Sequence, residues 1–184
     1  MKSALEPVTA RALLMMPEHD KRLELIRGVV HQRPHAVWAV GAASAGGLRA
    51  LGAYVEPRGL GEVVARAGFW VERDPDTVLA PNFAFVSAQR LRALEDCGRN
   101  FYYPGPPDLA GEVTCKVDQP EEAEARVARW LAAGTRMVLL IDASRRTVAV
   151  HRPGCIPLHL TDDDVLEGGD VVPGWTLPVR DIFA

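Results

Sequence analysis

Lysine is scarce in this 184-residue chain: 18 of its 21 basic residues are arginine, and only Lys2, Lys21 and Lys116 are lysine. Chemistry that needs a lysine therefore has three candidates. Positive charge in excess is missing too. Asp+Glu number 24 against 21 Lys+Arg, a formal net charge of −3, which argues against a general nucleic-acid coat protein, whose affinity rests on a strong positive surplus. A local basic groove stays compatible with that balance. Cysteine is sparse and odd in number: Cys97, Cys115 and Cys155 have neither metal-ligand spacing nor the even count of a secreted disulfide framework. A reduced, cytoplasmic setting is expected. The five histidines (19, 31, 35, 151 and 159) form no H-x-x-x-H pair, which argues against a zinc hydrolase. Long apolar runs are absent. The N-terminal segment is interrupted by Glu6 and Pro7, unlike a signal core, and Val37 to Leu51 is broken by Gly41, Gly46, Gly47 and Arg49, so no membrane span is expected.

What is present is ordinary for a soluble globular chain: 48% hydrophobic and 24% charged residues. The length suits one domain, able to bury roughly two-thirds of its unfolded surface. No repeat, low-complexity tract or long linker divides it. Thr9 can cap a short helix through about Met15. Arg22 to Ile26 and Val29 to Arg33 flank Arg27-Gly28 as a hairpin. Ala36 to about Leu51 reads as an Ala-rich helix whose glycines allow close packing. Glu62 to Val71 reads as one strand, Asp74 to Thr77 as a turn, and Asn82 to Val86 as a strand followed by a helix near Ala88 to Leu94. After the breaker Gly105-Pro106-Pro107-Asp108 come a strand, Leu109 to Cys115, and a helix opened by Pro120 and the acids Glu121, Glu122 and Glu124. Met137 to Asp142 is a short apolar run typical of a buried strand. Strand, helix and strand predict a right-handed βαβ crossover. Thr147 to His151 adds a neighbouring strand, and a short closing segment ends at Phe183. The class is α/β or α+β with a mixed sheet.

Glu112 is the anomaly. It stands in an otherwise apolar strand, where a carboxylate is costly unless paired, hydrogen-bonded or bound to metal. Arg126 lies about 9 Å into the following helix, which runs back over the sheet. That places it level with Glu112 or Thr114, with Trp130 one turn beyond. Two readings stay open: a buried ion pair, or a hydrolytic site built from a carboxylate and a cation. Other candidates are weaker. Asp162-Asp163-Asp164 reads as a solvated loop and Arg145-Arg146 as a surface turn. Arg126, Arg129 and Arg136 could form a phosphate-binding strip. His35 lies in R-P-H-A-V-W.

At these residues the chain resembles a known family. P-P-D-L-A-G-E-V-T, followed by R-V-A-R-W-L-A-A-G-T-R-M-V-L-L-I-D, is similar to the Uma-type putative restriction endonuclease family. So are R-L-E-L-I-R-G-V-V near the start, E-R-D-P-D-T-V-L-A-P-N-F-A-F-V in the middle and V-V-P-G-W-T-L-P-V-R-D-I-F at the end. The blocks follow the family's order and cover nearly the whole chain. That family resembles the PD-(D/E)XK nuclease superfamily. The resemblance implies a restriction-endonuclease-like core, a mixed central β-sheet flanked by helices, here with an N-terminal helix and hairpin. It also implies a Mg²⁺-dependent hydrolysis of DNA phosphodiesters. The family's Pro-Asp acid falls on Pro81-Asn82 and its second acid on Glu112, with Thr114 in the place of a serine. Its catalytic lysine falls on Arg126, four residues before Trp130, and its hairpin glutamate on Glu24. Glu112 and Asn82 are thus the implied metal ligands.

The sequence departs from that pattern at two positions. Asn82 can offer one neutral oxygen but no charge to Mg²⁺, which depends on carboxylates. Arg126 stays protonated and cannot act as a base. Lys116, two residues beyond Thr114, is the nearest lysine that could stand in. Three functions follow: a Mg²⁺-dependent endonuclease, an inactive relative binding DNA or a protein on the same scaffold, and a structural homodimer joined through the helix Ala36 to Leu51. Asn82 and Arg126 divide the first from the second.

Overall fold

A computed structural model of the chain describes residues 6–17, 22–92, 94 and 98–184. His19, Lys2, Lys21 and Cys97 lie outside the described residues. Helix α1 (Ala10–Leu14) starts where the Thr9 hydroxyl accepts the N–H of Ala12 at 3.1 Å, the expected cap. The hairpin is β1 (Arg22–Ile26) and β2 (Val29–Arg33), turned at Arg27 and Gly28, both with positive φ. Helix α2 (Trp38–Val55) runs one turn past the expected end. Then come β3 (Gly61–Ala65), β4 (Phe69–Glu72), β5 (Thr77–Leu79), β6 (Phe83–Ser87) and α3 (Ala88–Leu91). Strand β7 (Leu109–Thr114), helix α4 (Pro120–Ala132) and β8 (Met137–Asp142) form the crossover, with β9 (Thr147–His151) beside it. The tail holds β10 (Leu158–Leu160), β11 (Val165–Glu167), β12 (Thr176–Pro178) and a 3₁₀ helix, Val179–Phe183.

Six strands form a mixed sheet in the order β10-β9-β8-β7-β6-β3, in which β7 and β8 pair parallel and every other pairing is antiparallel. Strands β2-β1-β5-β4 form a second, antiparallel sheet, and β11-β12 a small ribbon. Alternation along β7 sends Leu109 and Val113 to one core and Ala110 to the other. The first core is roofed by α2 and the closing 3₁₀ helix; the second, around Trp130, by α4.

One expectation is corrected. The single strand over Glu62 to Val71 is two strands, β3 and β4, in different sheets. Between them Arg66 adopts a φ of +53° and Gly68 lies under the Tyr102 ring, so close that a Cβ there would sit 2.3 Å from a ring carbon. Two glycines of α2, Gly46 and Gly47, give the close packing expected of this helix. A Cβ on Gly46 would lie 2.0 Å from the Ile182 carbonyl oxygen, and one on Gly47 2.8 Å from the Phe83 ring. Their absence of side chains lets the helix seat against the closing 3₁₀ helix at Gly46 and on the sheet at Gly47. Among the described residues no helix is long and apolar enough to cross a membrane.

Candidate functional site

Strand β7 lies inside the six-stranded sheet, and Glu112 on it projects toward α4, only 2% exposed. A carboxylate so placed must be matched by donors, and it is. The guanidinium of Arg126 meets it side-on: Nε donates to Oε2 at 3.1 Å and Nη2 to Oε1 at 2.7 Å. The indole N–H of Trp130, one helical turn further along α4, donates to Oε1 at 2.7 Å. Arg33, on β2, reaches Oε2 at 3.5 Å.

The other edge of the same guanidinium binds Glu24. Along β1, Leu25 faces the small core under α1, while Ile26, and with it Glu24, faces the core around Trp130. Arg126 donates from Nη1 to Glu24 Oε2 at 2.5 Å and from Nη2 to Oε1 at 3.0 Å. The N–H of Ala80 donates to Glu24 Oε1 at 2.8 Å, and the Ala80 carbonyl accepts from Arg126 Nη2 at 3.4 Å. One planar fork thus spans two buried carboxylates, a task for which guanidinium geometry is suited. Burial alone would lift the Glu112 carboxyl, but Arg126 beside it outweighs that and holds it below the usual carboxylate range. Burial opposes the charge on Arg126 too, and the two carboxylates reverse this, raising its pKa. Glu112 and Arg126 thus hold each other in their charged forms.

Asn82 is placed differently. It is the next residue in register opposite Glu112, since Phe83 pairs with Gly111. Its side chain, however, turns to the α2 side of the sheet. Oδ1 accepts the N–H of Val113 at 3.0 Å, and Nδ2 donates to the Ser44 hydroxyl at 3.0 Å. Asn82 thus bonds toward α2 and Glu112 toward α4, and the two share no hydrogen-bond partner among the described residues. Among the described residues no three His, Cys, Asp or Glu side chains converge as metal ligands.

Lys116 is exposed beyond the end of β7, where its backbone N–H bonds the Ser144 hydroxyl; it takes no part in the cluster. The strip of Arg126, Arg129 and Arg136 is also not formed. Arg126 is buried against the glutamates and Arg136 pairs with Asp170 at 2.7 Å. Asp162 pairs through Oδ2 with Arg146, and Asp164 accepts from Thr161 within the turn.

Sequence reasoning missed Arg33, whose distance of 79 residues from Glu112 leaves no local signal. Beside the cluster, a cavity of about 140 Å³ is lined by Arg22, Arg33, His35 and Asn82 among others. Burial first, then the nearby Arg33 and Arg66, pulls the Arg22 pKa below its ordinary value. Arg66 is exposed, with no carboxylate partner among the described residues. Arg22 and Arg33 line this cavity, and the Arg66 backbone N–H bonds the carbonyl of Asn82, another lining residue, at 3.3 Å, so three arginines border one rim.

With this geometry in hand, the chain can be set beside known proteins. The family described as Uma2, "Putative restriction endonuclease", matches residues 10–180. Among solved structures, a putative nuclease of the DUF820 group from Anabaena variabilis superposes with a TM-score of 0.80 at 20% identity, covering 96% of this chain and 98% of that one. No curated protein matches.

Proposed function

The chain belongs to the Uma2 family of putative restriction endonucleases, and from that premise we propose that it is a DNA-binding protein on a nuclease fold whose hydrolytic centre is closed by an internal ion pair. One observation carries this reading: both oxygens of Glu112 and both of Glu24 already accept charged or backbone N–H groups. Mg²⁺ needs carboxylates free to enter its coordination sphere, at about 2.0–2.1 Å in near-octahedral geometry. The donor set around Glu112 does not fit that ion. Arg126 occupies the side of Glu112 that a cation would approach, and Asn82 is turned away. Arg126 itself, locked as a cation, has no proton-accepting form with which to activate water.

DNA is the ligand this reading favours because Arg22 and Arg33 line the cavity beside the closed centre and Arg66 borders it through its backbone bond to Asn82. Like charges so close repel, and a phosphate between them would relieve that cost. The net charge of −3 limits the contact to this local patch. The test is fluorescence anisotropy with a labelled oligonucleotide, in EDTA and across a salt series. Binding is expected without divalent metal. Arg66→Glu, on an exposed position, should weaken it and flatten the log affinity against log salt slope by about one or more. Unaltered protein that shows no affinity, or an Arg66→Glu variant indistinguishable from it, overturns the DNA reading.

A further inference from the structure

Trp38 is the most exposed of the four tryptophans, at 92%, whereas Trp130 and Trp175 are buried in the two cores. It opens α2 immediately after Val37, which is 49% exposed and lines the same small cavity as Arg22 and Arg33. Val117, 71% exposed, lines that cavity too. A large aromatic ring left in water one residue along the chain from the lining of this arginine-bearing cavity calls for an occupant. The occupant must offer both a flat apolar face and negative charge.

We infer that Trp38 is a stacking platform for an unpaired base, and that the site takes single-stranded DNA, with phosphates against Arg22, Arg33 and Arg66. The inference rests on the DNA reading above and narrows its substrate class. Stacking on an aromatic ring requires a base face that duplex DNA keeps covered, whereas the phosphates alone would serve either form. A second copy of the chain is a poorer fit. A twofold contact through Trp38 brings each copy's arginine rim toward its equivalent, like charge against like.

The experiment compares a labelled dT12 strand with a duplex of equal length, using unaltered protein, Trp38→Ala, Trp38→Phe and Arg66→Glu. Trp38→Ala should weaken dT12 binding by about tenfold, leave duplex affinity unchanged and abolish the quenching of tryptophan emission by dT12. Trp38→Phe should keep most of the affinity. Because Trp38 packs against so little, folding of these variants is checked simply by circular dichroism. If Trp38→Ala binds dT12 like the unaltered protein while Arg66→Glu weakens both DNAs, the stacking inference fails and the DNA reading stands. If neither DNA binds the unaltered protein, both fail. If sedimentation shows a dimer that Trp38→Ala dissociates with no change in DNA affinity, Trp38 serves a second copy and the inference is overturned.

Discussion

Arg126→Ala will destabilise the protein by about 3–5 kcal/mol, the cost of leaving buried carboxylates without their counter-charge. At roughly 2–4 °C per kcal/mol for a chain of this size, the thermal midpoint falls by on the order of 10 °C. Glu24 and Glu112 are 3% and 2% exposed, so water cannot replace the lost fork. The same principle predicts an asymmetry. Removing all three charges together, as Glu24→Gln, Arg126→Met and Glu112→Gln, should recover most of that loss, because a buried ion pair adds little net stability over neutral packing.

The effect depends on pH with a definite sign. In the unaltered protein the Glu112 carboxyl is held below its ordinary value. Its stabilisation is present above the unfolded pKa of about 4.3 and is lost as pH falls through the lower folded value. In Arg126→Ala burial dominates and raises the same carboxyl, so its contribution is lost as pH rises instead. The gap between the two proteins, measured by thermal unfolding from pH 4 to 8, should therefore widen with pH. A loss below about 1 kcal/mol, or a gap constant with pH, would mean that Arg126 is not the counter-charge of a closed centre.

Divalent metal binding should be gained by Asn82→Asp combined with Arg126→Lys. Lysine offers a single point charge in place of a fork that engages both glutamates, so carboxylate oxygens are released. Asn82→Asp removes the Nδ2 donor that ties this side chain to Ser44 on α2, so the new carboxylate is free to bring the missing negative charge to the position next in register opposite Glu112. Calorimetry with Mn²⁺ should show saturable uptake by the double variant. Its thermal midpoint should rise with metal concentration, as mass action requires of a ligand that binds only the folded state. Asn82→Asp alone keeps the guanidinium in place and should show neither effect. Equal binding by that single variant would indicate that Arg126 does not obstruct the ion.

Much of this arrangement is legible in the residues themselves. The hairpin Arg22–Ile26 with Val29–Arg33, and the strands Met137–Asp142 and Thr147–His151, have the expected bounds. Their alternation or apolar runs are bracketed by turn residues. Glu112 stands out as a charge in an apolar strand, and helical spacing brings Arg126 and Trp130 level with it. Glu24 is different: it meets Arg126 across 102 residues, and only family resemblance marks it. The direction of the Asn82 amide depends on Ser44, 38 residues away on α2, and no local pattern encodes it. The break at Arg66 escapes detection because Glu62 to Val71 is apolar throughout except at Glu62 and Arg66, and the ring that covers Gly68 arrives from Tyr102. The three-residue strands β10 to β12 are too short to show a period.

The central claim, that Arg126 closes the centre against a divalent cation, is met most directly by calorimetric titration of Mg²⁺ and Mn²⁺ into the unaltered protein. No saturable heat is predicted for either ion. One-to-one uptake that disappears in Glu112→Gln would contradict the account.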